Sequence, residues 1–273
     1  MTNATDLLLR PGVWLTQLSP EGFAVLTFVL MTAAGEIGYR SGRRSGRRRA
    51  DAPALRDSIG FITGGMHALF AFLLSVTFSL SAERLELRAQ SVLAEANAIG
   101  TLWTRAAVMG EEAMASVRAT LRSYAGERAD AVTLAGRNAD AARVAARSQA
   151  LQAQLEAEVL RFVRTAPNAT ATSVLAALNE VSDRAAITDW NLVAGVPRHV
   201  LRLLLVVGVL SVGAMGYQFG LGANRQFFVT TLLLLTWTVT LLLVLDIDAA
   251  HWGALCGEAA PLRTLLAGWG PDP

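Results

Sequence analysis

Apolar residues along the chain are concentrated in four long stretches, two on each side of a more polar middle. They cover residues 22–37, 59–82, 199–221 and 227–245. Each approaches the roughly 20 residues that a helix needs to cross the hydrocarbon core of a bilayer. The pattern therefore predicts an integral membrane protein with four transmembrane helices arranged as two hairpins in lipid.

The second apolar stretch continues into the polar middle without a helix-breaking residue. No Pro occurs from residue 58 through residue 109, and about 50 helical residues would extend roughly 75 Å. Beyond Glu83 the apolar positions alternate in steps of four and three, which is typical of a helix packed along a partner helix. These positions are Leu85, Ala89, Val92, Ala96, Ile99, Trp103 and Ala106.

Three further helices are predicted before the third stretch, and no strand-like alternation of useful length occurs. Four helices in the middle would return the chain to the side of the membrane it left, which favours a membrane-proximal four-helix bundle on four transmembrane helices. The predicted fold class is all-α. The predicted segments are an N-terminal interfacial segment, 1–21; a first transmembrane hairpin, 22–82, with an Arg-rich loop, 40–57; an extramembrane bundle, 83–197; a second hairpin, 198–245; and a C-terminal tail, 246–273.

The distribution of charged residues predicts the orientation of the chain in the membrane. Only 17% of residues are charged and the net charge is +2, which is too small to indicate a nucleic-acid partner. Seven arginines lie between the first two stretches, and short basic loops stay in the cytoplasm. They are Arg40, Arg43, Arg44, Arg47, Arg48, Arg49 and Arg56. The loop is therefore predicted to be cytoplasmic, with the bundle and both termini outside a bacterial inner membrane; a lipid-headgroup or nucleic-acid contact is the alternative use.

The second stretch carries a candidate pore face. Thr63, His67, Phe70, Leu74 and Phe78 share one side of a helix, and apolar rings around an axis gate channels by dewetting. The alternative is that these residues face lipid or a neighbouring helix. Small residues form an adjacent face, for which close helix packing is expected and an unobstructed pore wall is the alternative. A GxxxG pair in the third stretch also predicts close helix packing. The packing positions are Gly60, Gly64, Ala68, Gly216 and Gly220.

A polar set follows on the same long helix. Arg88, Glu95, Asn97, Thr101 and Arg105 are expected to find partners between helices, because buried polar groups need them. Candidates across the bundle are Asn179, Glu180, Asp183 and Arg184. A structural network or a ligand site would each explain this set. The three histidines are scattered, and no HExxH or GxSxG motif occurs. No catalytic residue, metal site or cofactor is predicted.

Several blocks carry a family resemblance. They are Ala82-Glu83-Arg84, Arg88, the run Glu-Ala-Asn-Ala-Ile-Gly-Thr at 95–101, Arg105, Leu178-Asn179-Glu180, and Leu245-Asp246 leading to Gly253. In these residues the chain resembles the bestrophin-like bacterial membrane proteins, a domain-of-unknown-function family. A more distant similarity to bestrophins implies a pentameric anion channel whose second membrane helix has an apolar neck. The positions that look like this neck are Phe70, Leu74 and Phe78.

Two functions follow as hypotheses. The first is a homo-oligomeric, channel-like protein that passes small ions, anions foremost, along the second transmembrane helix. The alternative is a non-conducting sensor or scaffold whose helical bundle binds a partner or ligand.

Overall fold

A computed structural model describes residues 20–48, 52–134, 139–223, 225–248 and 259–270. Every regular element within these ranges is an α-helix. The helices are α1 (Pro20–Gly46), α2 (Ala52–Ala106), α3 (Glu111–Leu134), α4 (Ala139–Thr165), α5 (Ala169–Val193), α6 (Arg198–Leu221), α7 (Phe227–Asp248) and α8 (Ala260–Gly268). The predicted all-α class is confirmed for this part of the chain.

Four of the helices, α1, α2, α6 and α7, are long and apolar enough to cross a membrane. The apolar part of α1 belongs to a helix that continues into the arginine run, and α2 extends over 55 residues. The predicted four long apolar helices, which are candidate membrane spans of a multi-pass protein, are thereby confirmed in the described part of the chain.

Local signals explain where several helices begin. Glu111 and Glu112 occupy the first turn of α3, where carboxylates oppose the positive end of the helix dipole. Asn168 caps α5, because its side-chain oxygen accepts a hydrogen bond from the backbone N–H of Ala171 at 2.9 Å. Pro197 is the residue directly before α6, and its ring fixes φ at −56°, a value compatible with the start of a helix.

The described residues form two compact units. The first lies within Met1–Ala82 and Val196–Asp248, and the second within Glu83–Gly195 and Ala249–Pro273. The first unit therefore contains α1, α6, α7 and the N-terminal part of α2. The second contains the rest of α2 together with α3, α4, α5 and α8.

Glycines bring α1 and α6 together in the first unit. A Cβ atom added to Gly38, Gly42, Gly216 or Gly220 would lie under 3.0 Å from backbone atoms of the facing helix. Such a contact is possible only without a side chain, so these positions let the two backbones approach. The pair in α6 was predicted from its spacing, whereas the facing glycines of α1 were not.

The core of the second unit is apolar and includes a helix that the sequence analysis did not identify. Buried residues such as Ile99, Leu121 and Leu155 form its centre. Leu262 of α8 is fully buried in the same core. The indole of Trp269 stacks on that of Trp103, with ring centroids 4.0 Å apart. The segment predicted only as a tail thus supplies part of the core.

Candidate functional site

The segment of α2 within the first unit has two different faces. One face is buried against α6 and α7 and carries Thr63, Phe70 and Leu74. The second face is exposed and lies adjacent to the first. The side directly opposite the buried face carries large apolar residues such as Phe61 and Phe72, whereas the second face carries small or hydroxyl residues. These are Gly64, Ala68, Ala71, Ser75 and Ser79. No helix of the described chain covers this second face at Gly64, where a Cβ atom would meet nothing within 4 Å.

The three residues of the expected neck do not share one environment. Phe70 is fully buried, and its ring lies 4.6 Å from that of Trp237 on α7. Leu74 is 8% exposed and belongs to the same core. Only Phe78, which is 39% exposed, remains accessible from outside the chain. Within one chain, Phe70 and Leu74 therefore act as core residues.

His67 and Thr63 form a polar patch beside this core. The Nδ1 atom of His67 lies 2.7 Å from the backbone oxygen of Thr63, so Nδ1 carries the proton and donates. The ring also contacts Trp237, with centroids 5.0 Å apart. The Nε2 atom of His67 and the hydroxyl of Thr63 are buried and have no hydrogen-bond partner within the described ranges.

The predicted packing residues fall into three groups. Gly216 and Gly220 lie against the backbone of α1. Gly60 lies beside the side chain of Gln218 on α6. Gly64 and Ala68 are exposed, and a Cβ atom at Gly64 would meet nothing within 4 Å among the described residues.

The second unit contains a buried ion cluster. Arg128 of α3 donates from Nε to Glu95 Oε1 at 2.5 Å and from Nη2 to Glu95 Oε2 at 3.0 Å. Its Nη1 donates to Asp189 Oδ1 of α5 at 2.8 Å. Glu95 is fully buried and Arg128 nearly so, whereas Asp189 is exposed. This bidentate pair joins α2 to α3, and Asp189 extends it to α5.

The cluster changes the acid–base properties of its members. Burial disfavours the charged form of Arg128, but the hydrogen bonds and charge of Glu95 outweigh burial and raise the pKa of Arg128. Burial raises the pKa of Tyr124, one helical turn earlier on α3. The hydroxyl of Tyr124 has no hydrogen-bond partner among the described residues.

Two other predicted arginines bind the backbone of α5. Arg88 is buried and donates to the carbonyl oxygens of Asn191 at 3.1 Å and Ala194 at 2.9 Å. These carbonyls lie at the C-terminal end of α5, where a cation is favourable. Arg105 donates to the carbonyl of Ser173 at 2.8 Å, near the other end of the same helix.

The remaining members of the predicted polar set lie outside the cluster. Asn97 and Thr101 are exposed, and Thr101 donates to the carbonyl of Asn97 on its own helix at 2.9 Å. Asn179 and Glu180 are also exposed, and Glu180 pairs with Arg184 one turn later at 2.6 Å. The structure does not bring these four residues to Glu95.

Arg128 and Asp189 were not predicted from the sequence as partners, although each lies four residues after an apolar residue of its helix. Arg128 continues the apolar stripe of α3 four residues after Tyr124, and Asp189 lies four residues after Ala185 on α5. A charged residue that continues an apolar stripe requires a partner in the core. That pattern is the sequence signal for this pair.

The described ranges contain no cluster of side chains with the composition of a metal site. No three His, Cys, Asp or Glu side chains come close enough there to hold one metal ion. No family model, curated protein or solved structure matches the chain. The resemblance to bestrophin-like proteins therefore stays a hypothesis based on the sequence blocks.

Proposed function

We propose that the protein is a homo-oligomeric, channel-like membrane protein that conducts small ions, anions foremost, along an axis lined by α2. The supporting observation is the uncovered face of α2 that carries Gly64, Ala68, Ser75 and Ser79. Small side chains leave room around an axis, and hydroxyl groups can replace part of the hydration of a passing ion. Copies of the chain assembled through this helix would enclose such a path.

In this proposal Phe78 provides the apolar constriction. It is the residue of the expected neck that remains exposed, and it lies one residue before Ser79 at the edge of the small-residue face. Phe70 and Leu74 instead fix the packing of α2 against its own chain. A ring of Phe78 side chains would control hydration of the path.

The proposed arrangement in the membrane follows the arginines. The arginine-bearing end of α1 lies in the cytoplasm, because basic residues near the ends of spans set orientation. The helices inserted between the second and third spans then form an extramembrane bundle on the outer side of a bacterial inner membrane. The similarity to bestrophins favours five copies.

Ion flux into liposomes tests this function. Phe78→Ala should raise the flux of chloride by widening the constriction, and Ser75→Phe should abolish it by filling the path. Phe228→Ala on α7 and Leu69→Phe on α2 are matched controls, because both positions are exposed and lie off the small-residue face. Equal effects of test and control variants, or a monomeric protein in native mass spectrometry, would contradict the proposal.

A non-conducting scaffold or sensor is the second candidate. It is favoured by the burial of Phe70 and Leu74. These two of the three residues of the expected neck pack in the core of their own chain and cannot line a path between copies. An assembled oligomer that carries no ion flux, with wild-type protein and with Phe78→Ala, would support this function instead of conduction.

A further inference from the structure

An amphipathic cavity lies in the first unit between α1, α6 and the beginning of α7. Its volume is about 260 Å³. Phe28, Phe219 and Leu234 supply apolar walls from the three helices. The hydroxyls of Thr32 and Thr231 also line it, but they donate to carbonyls of their own helices at 2.7 and 2.9 Å. The lining therefore suits a hydrocarbon group.

One end of this cavity is charged. The Nη2 atom of Arg225 lies 2.8 and 3.0 Å from the two carboxylate oxygens of Glu36. Arg40 donates from Nε to the same carboxylate at 2.8 Å. The guanidinium of Arg225 also lies 4.5 Å from the ring centre of Tyr39. Arg225 lines the cavity and Arg40 lies beside it on the same carboxylate, so two cations share one anion and this end carries a net positive charge.

The charged end lies beside the ends of the apolar parts of α1 and α7, where the headgroup region is expected. Glu36 precedes the arginine run of α1, and Arg225 precedes Phe227, the first residue of α7. Arg225 is 54% exposed at its side chain, so its remaining N–H groups are accessible. Basic groups at this depth attract the phosphates of anionic lipids. Charge at the mouth and hydrocarbon walls behind it match the two parts of one lipid molecule.

We propose that this cavity binds an anionic phospholipid, with its phosphate at Arg225 and Arg40 and part of one acyl chain between α1, α6 and α7. A free anion would use the charge but not the apolar walls, and a neutral lipid would use the walls but not the net charge. The volume is below the about 300 Å³ of small-molecule pockets, which fits part of one chain. The site does not depend on ion conduction.

Lipid binding can be measured on the purified full chain in nanodiscs of mixed phosphatidylglycerol and phosphatidylcholine. Native mass spectrometry after release into detergent would count the retained lipids. Wild-type protein should retain phosphatidylglycerol preferentially. Arg225→Gln should weaken this retention about fivefold through loss of one cation. Thr231→Phe should weaken it comparably by filling the cavity while leaving every charge in place.

Two matched variants control for general effects. Arg44→Gln removes an exposed cation of α1 that does not line the cavity, and Thr236→Phe adds the same ring to an exposed threonine of α7 outside it. Both should retain lipid like the wild type. Thr231→Phe also keeps the proposal testable if Arg225→Gln fails to fold.

Three outcomes would overturn the proposal. The first is equal retention of the two lipids by the wild type. The second is an effect of Arg225→Gln without an effect of Thr231→Phe, combined with displacement by millimolar inorganic phosphate, which would indicate a surface anion site. The third is an equal loss in Arg44→Gln, which would indicate general attraction to the basic segment.

Discussion

At the scale of single residues, the buried Glu95–Arg128 pair has the greatest consequence for stability. Two charges are removed from water and are tolerated because each satisfies the other through two hydrogen bonds. The Glu180–Arg184 pair in the same unit stays in contact with water, so its charges are not desolvated. The two kinds of pair should therefore respond very differently to loss of one partner.

Glu95→Gln should destabilise the protein by about 3–5 kcal/mol, because it removes the buried anion of Arg128 and leaves only the exposed Asp189 as a charge partner. Thermal unfolding of the full chain in detergent measures this loss. Glu180→Gln is the matched control and should cost less than about 1 kcal/mol, because its pair is exposed. Similar costs for both variants would show that the buried pair is not essential for packing.

Tyr124 should make stability depend on alkaline pH. Its pKa is raised by burial above the ordinary value of 10.0. Above about pH 10 the unfolded state therefore loses a proton that the folded state keeps, and stability falls as pH rises. Tyr124→Phe removes this contribution, and at neutral pH it should cost little because the hydroxyl has no partner among the described residues.

Thermal unfolding of the wild type and of Tyr124→Phe should be compared between about pH 8 and pH 11, a range that brackets the pKa of an ordinary phenol. The wild type should lose stability more steeply than Tyr124→Phe at the alkaline end. Parallel curves would mean that the phenol ionises equally easily in both states.

At the scale of helices, packing between α1 and α6 depends on positions where any side chain would collide with backbone. Gly216 faces the backbone at Gly35, whereas Gly64 on α2 has open space around its Cβ position. Substituting Ala at each of these two glycines therefore distinguishes the effect of close helix packing from the effect of intrinsic helix propensity.

Gly216→Ala should lower stability by about 1–3 kcal/mol, because the two backbones must separate. Gly64→Ala should be neutral or stabilising by up to about 1 kcal/mol within the chain, because Ala favours helix. Chemical or thermal unfolding in detergent measures both. A stable Gly216→Ala variant would contradict the close approach of α1 and α6.

At the scale of the whole molecule, the chain returns after α7 to complete the core of the second unit. Leu262 is fully buried in a core that also contains residues of α2, α3, α4 and α5, such as Ile99 and Val181. Residues that are distant in sequence therefore share one core, and the C-terminal helix should be required for its stability.

Leu262→Ala should lower the stability of the second unit by about 2–5 kcal/mol through loss of buried hydrocarbon and formation of a cavity. Thr264→Ala, an exposed neighbour on the same helix, should change it by less than about 0.5 kcal/mol. Limited proteolysis combined with thermal unfolding measures the effect. Equal resistance of the two variants would show that α8 does not contribute to the core.

The helical class and the four long apolar helices could be predicted from the sequence alone. Both follow from local properties, since an uninterrupted apolar run such as 227–245 must form a helix to satisfy its backbone in lipid. The helical stripe from Leu85 to Ala106 could also be predicted, because helical periodicity is a local pattern that repeats every three to four residues.

The helix that covers each face could be identified only from the three-dimensional packing. In α2 the residues around Phe70 are apolar on every side, so the pattern could not distinguish the face against α7 from the face toward lipid. The partner of Glu95 and the place of Leu262 were likewise undetermined. Periodicity shows that a residue needs a partner, but the choice among distant partners depends on how the helices pack in three dimensions.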